Sequence, residues 1–512
     1  MTAPSFTAEI LRNARIQLRP KRVIAAVVIC LAASITSIAY FFYAPWADSA
    51  RAGGQDLLGW TFGIQIAALL IAGGLYCLQS IHREKELNTF DYQRVTRLTP
   101  FELVVGKLFG PPAMMYFLVL CTMPLILIGA LTAQTSISSL FAAYFLFLLG
   151  VVTYHSLALF ISLFLPKGSS AGGVIVFLIL IYLTSLGRSF GSAEGVFSGL
   201  SPFYAESFVN NSSSRFTPDV FFGANIAHGY VLAALYVTLT AWFLLAIARN
   251  MKRDPSDFEI YTPLQALGLV LYWHLLLLGF FEWTATYGTY LTPIHTVRAP
   301  AEVEASFLTI SFWLFLMLGL TLLRNRERSR RRMREFGDRA ANWWAAVWPA
   351  PYVFAGLLFI GAALIFMIRL RLHPESGWSS GMAIFELVFF ALWLARDLVF
   401  LQWANLRRSR RPLVSGALYL VAYYGCAMAL FYATGAYAKP DRLAYSSTFF
   451  PSGIFRMDYD MWTADLGRWI VAAIVLAAEG LVFVFLQRRT LQHILNSAPT
   501  ESAAIQQPLT PK

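Results

Sequence analysis

The sequence predicts an all-α, polytopic helical membrane protein of about twelve transmembrane helices, arranged as two six-span units, and three observations carry that expectation. Of 512 residues, 57% are hydrophobic and 13% charged, with a mean hydropathy of +0.58, whereas soluble domains carry about 25% charged residues. Apolar runs of roughly 18 to 25 residues, long enough to cross a hydrocarbon core of about 30 Å as helix, recur from end to end. Finally, the basic residues behind the net charge of +12 sit in short connections beside those runs, where anionic lipid is a nearer partner than nucleic acid.

The spans fall near 23–44, 57–81, 108–130, 138–165, 171–187 and 227–248, then near 264–281, 306–323, 347–368, 382–401, 413–437 and 466–486. The first run continues too long for a cleaved leader and has no small-residue cleavage site, so it is expected to be a retained span. With the N-terminus in the cytosol, cytosolic segments hold 29 Lys and Arg against 12 Asp and Glu, and outer loops hold 9 against 13. Because Lys and Arg accumulate on the cytoplasmic side, both termini are expected there, with the chain in a plasma (inner) membrane. The organisation that follows is a cytosolic amphipathic helix over 1–22, a six-span unit over 23–250, a second, degenerate six-span unit over 251–490 and a polar tail over 491–512. In each half the longest outer loop, 188–226 or 438–465, lies between the fifth and sixth spans and carries an aromatic-proline motif. These motifs, Gly199 to Tyr204 and Phe449 to Phe455, suggest a parallel duplication. The cysteines Cys30, Cys77, Cys121 and Cys426 fall in apolar runs without metal-ligand spacing and are read as packing residues.

The most informative stretch is His82 to Lys107, between the second and third spans. Thr99 suits an N-cap, Pro100 the first helical position, and Glu102 the place from which a carboxylate reaches back to the cap N–H, so a helix is expected to start there. Upstream, Leu87, Phe90 and Arg94 are spaced as helical neighbours beside the charged cluster Arg83 to Glu86, which predicts a short cytosolic helix with an apolar side. Apolar residues on a cytosolic element invite a partner.

This stretch resembles the permeases of the type-2 ABC exporter family, in which an acidic E-x-E-x-G-T run follows the second span, a Thr-Pro pair comes after it, and a Lys precedes the third. Glu84, Glu86, Thr89, Leu98, Thr99, Pro100, Gly106 and Lys107 fall on the pattern, while Asn88 stands where the family usually has Gly. The resemblance covers roughly residues 1–250. It implies that residues 83–100 are a coupling helix docking on a separate cytosolic ABC ATPase subunit, with Glu84, Glu86, Leu87, Thr89, Phe90, Thr99, Pro100, Glu102 and Lys107 as the coupling residues. It further implies that this chain forms the path for an exported substrate, binds no cofactor itself and leaves ATP and Mg to the partner. The plainer alternative is a basic loop that only obeys charge topology. The family also has an amphipathic helix before its first span, and here Phe6, Ile10, Leu11, Ala14 and Leu18 lie on one helical side with Arg12, Arg15 and Arg19 on another. Such a helix is expected in the headgroup layer. The corresponding loop of the second half, Arg324 to Arg339, is an arginine run without a Thr-Pro start and reads as topogenic.

Ionisable groups inside spans are costly and need partners, which singles out Glu386, Arg396, Asp397 and Glu479. Arg396 and Glu479 both sit roughly 20 Å from the outer edge at 1.5 Å per residue, so an intramembrane charge pair between their helices is expected, as a structural clamp ahead of a substrate role. His155 and His274 are lone histidines on apolar helices and read as core residues, and no metal cluster is visible. A phosphate loop of the form G-x-x-x-x-G-K-[ST] is absent, as are G-x-S-x-G and H-E-x-x-H motifs, so no catalytic residue is assigned and ATP hydrolysis is expected elsewhere. Two other classes stay open. One is a secondary transporter of six plus six spans. The other is a polytopic membrane glycosyltransferase, which would need outer-face carboxylates such as Glu302 and Glu304 or Asp458 and Asp460.

Overall fold

The structure is a computed structural model that describes residues 6–43, 49–165, 219–221, 224–226, 228–253, 258–262, 264–273, 380–407, 412–433 and 466–496, with 173–175, 177, 178, 181, 205, 315, 319, 323, 326 and 329 between them. It divides into two compact units, Met1–Ile260 and Tyr261–Lys512. That division falls within the short connection, 249–263, between the two expected halves.

In the first unit α1 (Phe6–Gln17) precedes α2 (Pro20–Tyr43). A long rod follows, built from α3 (Ala50–Ala67), one wide π turn (Ala68–Gly73) and α4 (Gly74–Glu86). Next come the short α5 (Phe90–Arg94) and α6 (Pro100–Phe109), then α7 (Ala113–Ala133), α8 (Ile137–Phe164) and α9 (His228–Asn250). Ahead of α9, β1 (Asp219–Phe221) pairs antiparallel with β2 (Ala224–Ile226), a small exception to the expected all-helical class. The second unit contains α10 (Ser380–Leu406), α11 (Pro412–Ala433) and α12 (Leu466–Asn496), with an apolar helical segment at Leu264–Trp273. Among the described residues six helices are long and apolar enough to cross a membrane: Pro20–Tyr43, Ala50–Glu86, Ala113–Ala133, Ile137–Phe164, Gly229–Asn250 and Trp469–Ile494. The expected span at 347–368, and most of those at 306–323 and 171–187, lie outside the described residues. So do both aromatic-proline motifs, His274, nearly all of Arg324 to Arg339, the acids Glu302, Glu304, Asp458 and Asp460 and the tail from 497.

Local chemistry explains the boundaries. Ser49 and Ser136 each accept a hydrogen bond from the backbone N–H three residues on, at 3.1 Å, and so cap α3 and α8. At the end of α7, Gln134 takes φ 58° while Thr135 N–H reaches back to Ala130 O at 3.0 Å, satisfying carbonyls that the helix leaves open. Helix α7 lies close against α3 because Gly129 has no side chain: a Cβ there would fall 3.0 Å from Gly54 O and Leu58. The core of this unit comprises two buried clusters, one around Leu58, Phe62, Ile126 and Phe147 and the other around Cys77, Ile81, Leu103 and Leu159. Several polar groups within the bundle are paired. Gln65 donates to Thr122 Oγ1 at 2.9 Å and accepts from Tyr144, and Thr153 and Thr240 hydroxyls meet at 2.9 Å. His155 is fully buried, with Nε2 2.9 Å from Leu69 O at the π turn and Nδ1 3.3 Å from Tyr116 OH, which makes it a satisfied core histidine.

Candidate functional site

Helix α4 ends two residues before the position at which the family pattern usually has Gly. Asn88 takes φ 56°, its N–H bonds Lys85 O at 3.3 Å, and Thr89 N–H bonds Glu84 O at 2.9 Å. This is the pair of bonds of a left-handed helix stop, and such a φ is taken most easily by Gly and, among other residues, by Asn. Substituting Asn for Gly therefore leaves the turn intact. Ten residues on, Thr99 Oγ1 accepts from Glu102 N–H at 3.2 Å while the Glu102 carboxylate accepts from Thr99 N–H at 2.7 Å, a complete capping box with Pro100 inside the first turn. Between these fixed ends lies α5.

The stop at Asn88 resets the helical phase, and that overturns one expectation. Instead of one short helix with Leu87 and Phe90 on a shared side, the chain turns so that Phe90 is only 4% exposed, packed with Ile81, Leu103 and their neighbours. Phe90 is therefore a core residue and cannot be an anchor for a partner. The apolar side chains that this loop shows to the outside are Leu87, Tyr92 and Val95, at 62%, 75% and 83% exposed, with Phe101 half-exposed at the start of α6. Tyr92 and Val95 are absent from the sequence-derived set because helical periodicity across an unseen turn places them wrongly.

Lys107 needs a second correction. Its side chain is buried and its ammonium lies 2.5 Å from Glu84 Oε2, so the two residues tie α6 to α4 inside the protein and do not face a partner. Burial pulls the Lys107 pKa below its ordinary value, and the Glu84 carboxylate opposes that pull. Arg12 of α1 stands 3.6 Å from Glu84 and 2.6 Å from Glu9. Helix α1 docks on α6 through Glu9, whose Cγ would be 2.5 Å from a Cβ at Gly106. Leu11 and Ile16 stay half-exposed, so α1 is held by α6 on one side with apolar residues left over on another. Glu86, Thr89, Thr99 and Leu87 are exposed, Pro100 and Glu102 partly buried, and the Glu86 carboxylate is 3.1 Å from His82.

Other segments close the assembly. The Lys85 ammonium donates to the last carbonyls of α8, at 3.0 Å to Ser162 and Leu165 and 2.5 Å to Leu163. Lys252, just past α9, donates to Thr96 O at 2.9 Å. Helix α1, the connection after α4, the end of α8 and the residues just past α9, all expected on one side from the charge count, thus meet at one end of the bundle.

A second site lies in the other unit. Arg396 Nη1 is 3.0 Å from Glu479 Oε2, which brings together the two residues singled out by depth, and Nε donates to Asp397 Oδ1 at 2.9 Å. Tyr424 OH receives a bond from Arg396 Nη2 at 3.2 Å and donates to Asp397 Oδ2, and Tyr423 OH lies 3.4 Å from Nη1. The tyrosines carry no signature in the sequence beyond their membership of an apolar run. Beside this cluster α10, α11 and α12 line a cavity of about 760 Å³, which also reaches Cys426, so that cysteine borders open space and is not packed. Glu386 lies on α10, outside the residues whose side chains are described. No group of His, Cys, Asp and Glu fit to hold a metal occurs among the described residues.

Compared with protein-family profiles, curated proteins and solved structures, the chain matches none.

Proposed function

We propose that this chain is the membrane-embedded permease of a type-2 ABC exporter, coupled to a separate cytosolic ATPase subunit through the loop that follows its second span. One observation carries the reading. The segment from Leu87 to Phe101 is fixed at both ends by a helix stop and a capping box, braced from beneath by the Lys107–Glu84 pair, and yet holds Leu87, Tyr92 and Val95 out of the protein. A connection that served only charge topology needs neither rigidity nor apolar display, whereas a docking element needs both, because a rigid anchor loses little entropy on binding. On this reading residues 83–100 dock through Leu87, Tyr92 and Val95, while Glu84, Phe90, Thr99, Pro100, Glu102 and Lys107 shape the element. Twelve spans, cytosolic termini and a plasma-membrane location belong to the same proposal, as do ATP and Mg on the partner and an exported substrate of unknown kind. The ion-paired cluster of Arg396, Asp397 and Glu479 within apolar helices is the one feature that favours the alternative of a secondary transporter.

The test is affinity capture of the full chain from mild detergent together with the ATPase encoded beside it, followed by an ATP hydrolysis assay. Capture of that ATPase by the native chain, and its loss on replacing Tyr92 and Val95 with Ser, is the expected result. A native chain that binds no ATPase and moves solute under an ion gradient alone would show that the secondary-transporter reading is the right one.

A further inference from the structure

The cavity between α10, α11 and α12 has two unlike ends. At the deep end, near the middle of α12, the carboxylates of Asp397 and Glu479 converge on one guanidinium, that of Arg396, the only Lys or Arg among the described residues within ion-pair distance of either. Arg407 also lines the cavity, but about 16 Å further along α10 at 1.5 Å per residue, where it stacks over the Trp403 ring at 5.0 Å. Among the described residues the deep end therefore holds two carboxyl groups and one cation. Asp397 is buried and takes bonds from Arg396 and Tyr424. Glu479 is 28% exposed and lines the cavity. Phe400, Trp403, Tyr419, Tyr423 and Phe483 supply aromatic walls along it.

We propose that this cavity is a binding site for an apolar organic cation, whose charge rests against Glu479 and whose body lies between the aromatic side chains. A volume of about 760 Å³ suits a drug-sized molecule, since such sites run from about 300 to 1,000 Å³ and pair mostly apolar walls with a few convergent polar groups. Aromatic faces attract a desolvated cation, and the Glu479 carboxylate at membrane depth makes an anion of the same shape unfavourable. The Arg396 guanidinium does not reverse that preference, because Asp397 and Glu479 already engage it. This inference is independent of the ATPase-coupling proposal and concerns the other unit of the chain.

Cys426 borders the cavity and is exposed, which supplies a local reporter. The experiment measures the rate at which N-ethylmaleimide modifies Cys426 in the purified full chain, read by peptide mass spectrometry. It is run with tetraphenylphosphonium and with tetraphenylborate, ions of matching shape and opposite charge. Tetraphenylphosphonium is expected to slow modification in a saturable manner and tetraphenylborate is not. Glu479→Gln should raise the concentration for half protection by about tenfold or more. Ala422→Phe, which fills the cavity without touching a charge, should abolish protection, and it decides the matter alone if the Glu479 variant does not fold. Equal protection by both ions, no protection by the phosphonium, or protection that survives both variants overturns the proposal.

Discussion

Neutralising the members of the intramembrane cluster one at a time should give unequal losses, and the structure sets their order. Arg396 is buried and holds Glu479 at 3.0 Å, Asp397 at 2.9 Å and Tyr424 at 3.2 Å. Arg396→Met strands two carboxylates at once, and breaking a buried pair from one side costs about 3 to 5 kcal/mol. Glu479→Gln is a milder change, because Arg396 keeps Asp397, the glutamine carbonyl still accepts a hydrogen bond, and the partly exposed position weakens the lost charge term, leaving about 1 kcal/mol. The double variant Arg396→Met with Glu479→Gln removes one of the two stranded carboxylates and should be more stable than Arg396→Met alone. Adding Asp397→Asn should recover most of the remainder. The assay is the fraction of full-length protein that stays monodisperse in detergent after heating, as a function of temperature. Equal losses for Arg396→Met and Glu479→Gln, or a double variant whose loss is the sum of the two, would refute the shared-guanidinium argument.

Asn88→Gly should leave thermal stability unchanged, whereas Asn88→Val, which cannot take φ 56° cheaply, should cost about 1 to 2 kcal/mol in the same melting assay. Phe90→Ala should destabilise the first unit by about 3 to 5 kcal/mol, as loss of a buried phenyl ring does, while Leu87→Ala, on the surface, should cost under about 0.5 kcal/mol. Losses of equal size for these two would place Phe90 outside the core. In intact, oriented cells with the native cysteines replaced, Thr96→Cys should be shielded from an impermeant thiol reagent and Ser136→Cys should react, and the reverse pattern would invert the topology.

What could be read in advance follows from what each signal rests on. The capping box at Thr99 to Glu102 depends on residue types at fixed local spacing, so it was legible, as were the long apolar rods. The approach of Arg396 to Glu479 was legible for a different reason: lipid leaves few ways to accommodate an ionised group, so equal depth is a strong constraint. Asn88 hid the rest. Helical spacing extends only as far as the helix, and a single left-handed residue moved Phe90 into the core and turned Tyr92 and Val95 outward. The burial of Lys107 against Glu84 depends on how α4 and α6 fold back on each other, which no local pattern encodes, and the same is true of the tyrosine hydroxyls around Arg396.

The coupling assignment is tested most directly by a photo-crosslinking residue placed at Val95, 83% exposed at the tip of the loop, in the full chain coexpressed with the neighbouring ATPase. Irradiation is expected to give a covalent adduct with that ATPase from position 95 and none from position 120, where Leu120 is exposed in the middle of an apolar span. An adduct from position 120 but not from position 95, or from neither while the two proteins copurify, would contradict docking through this loop.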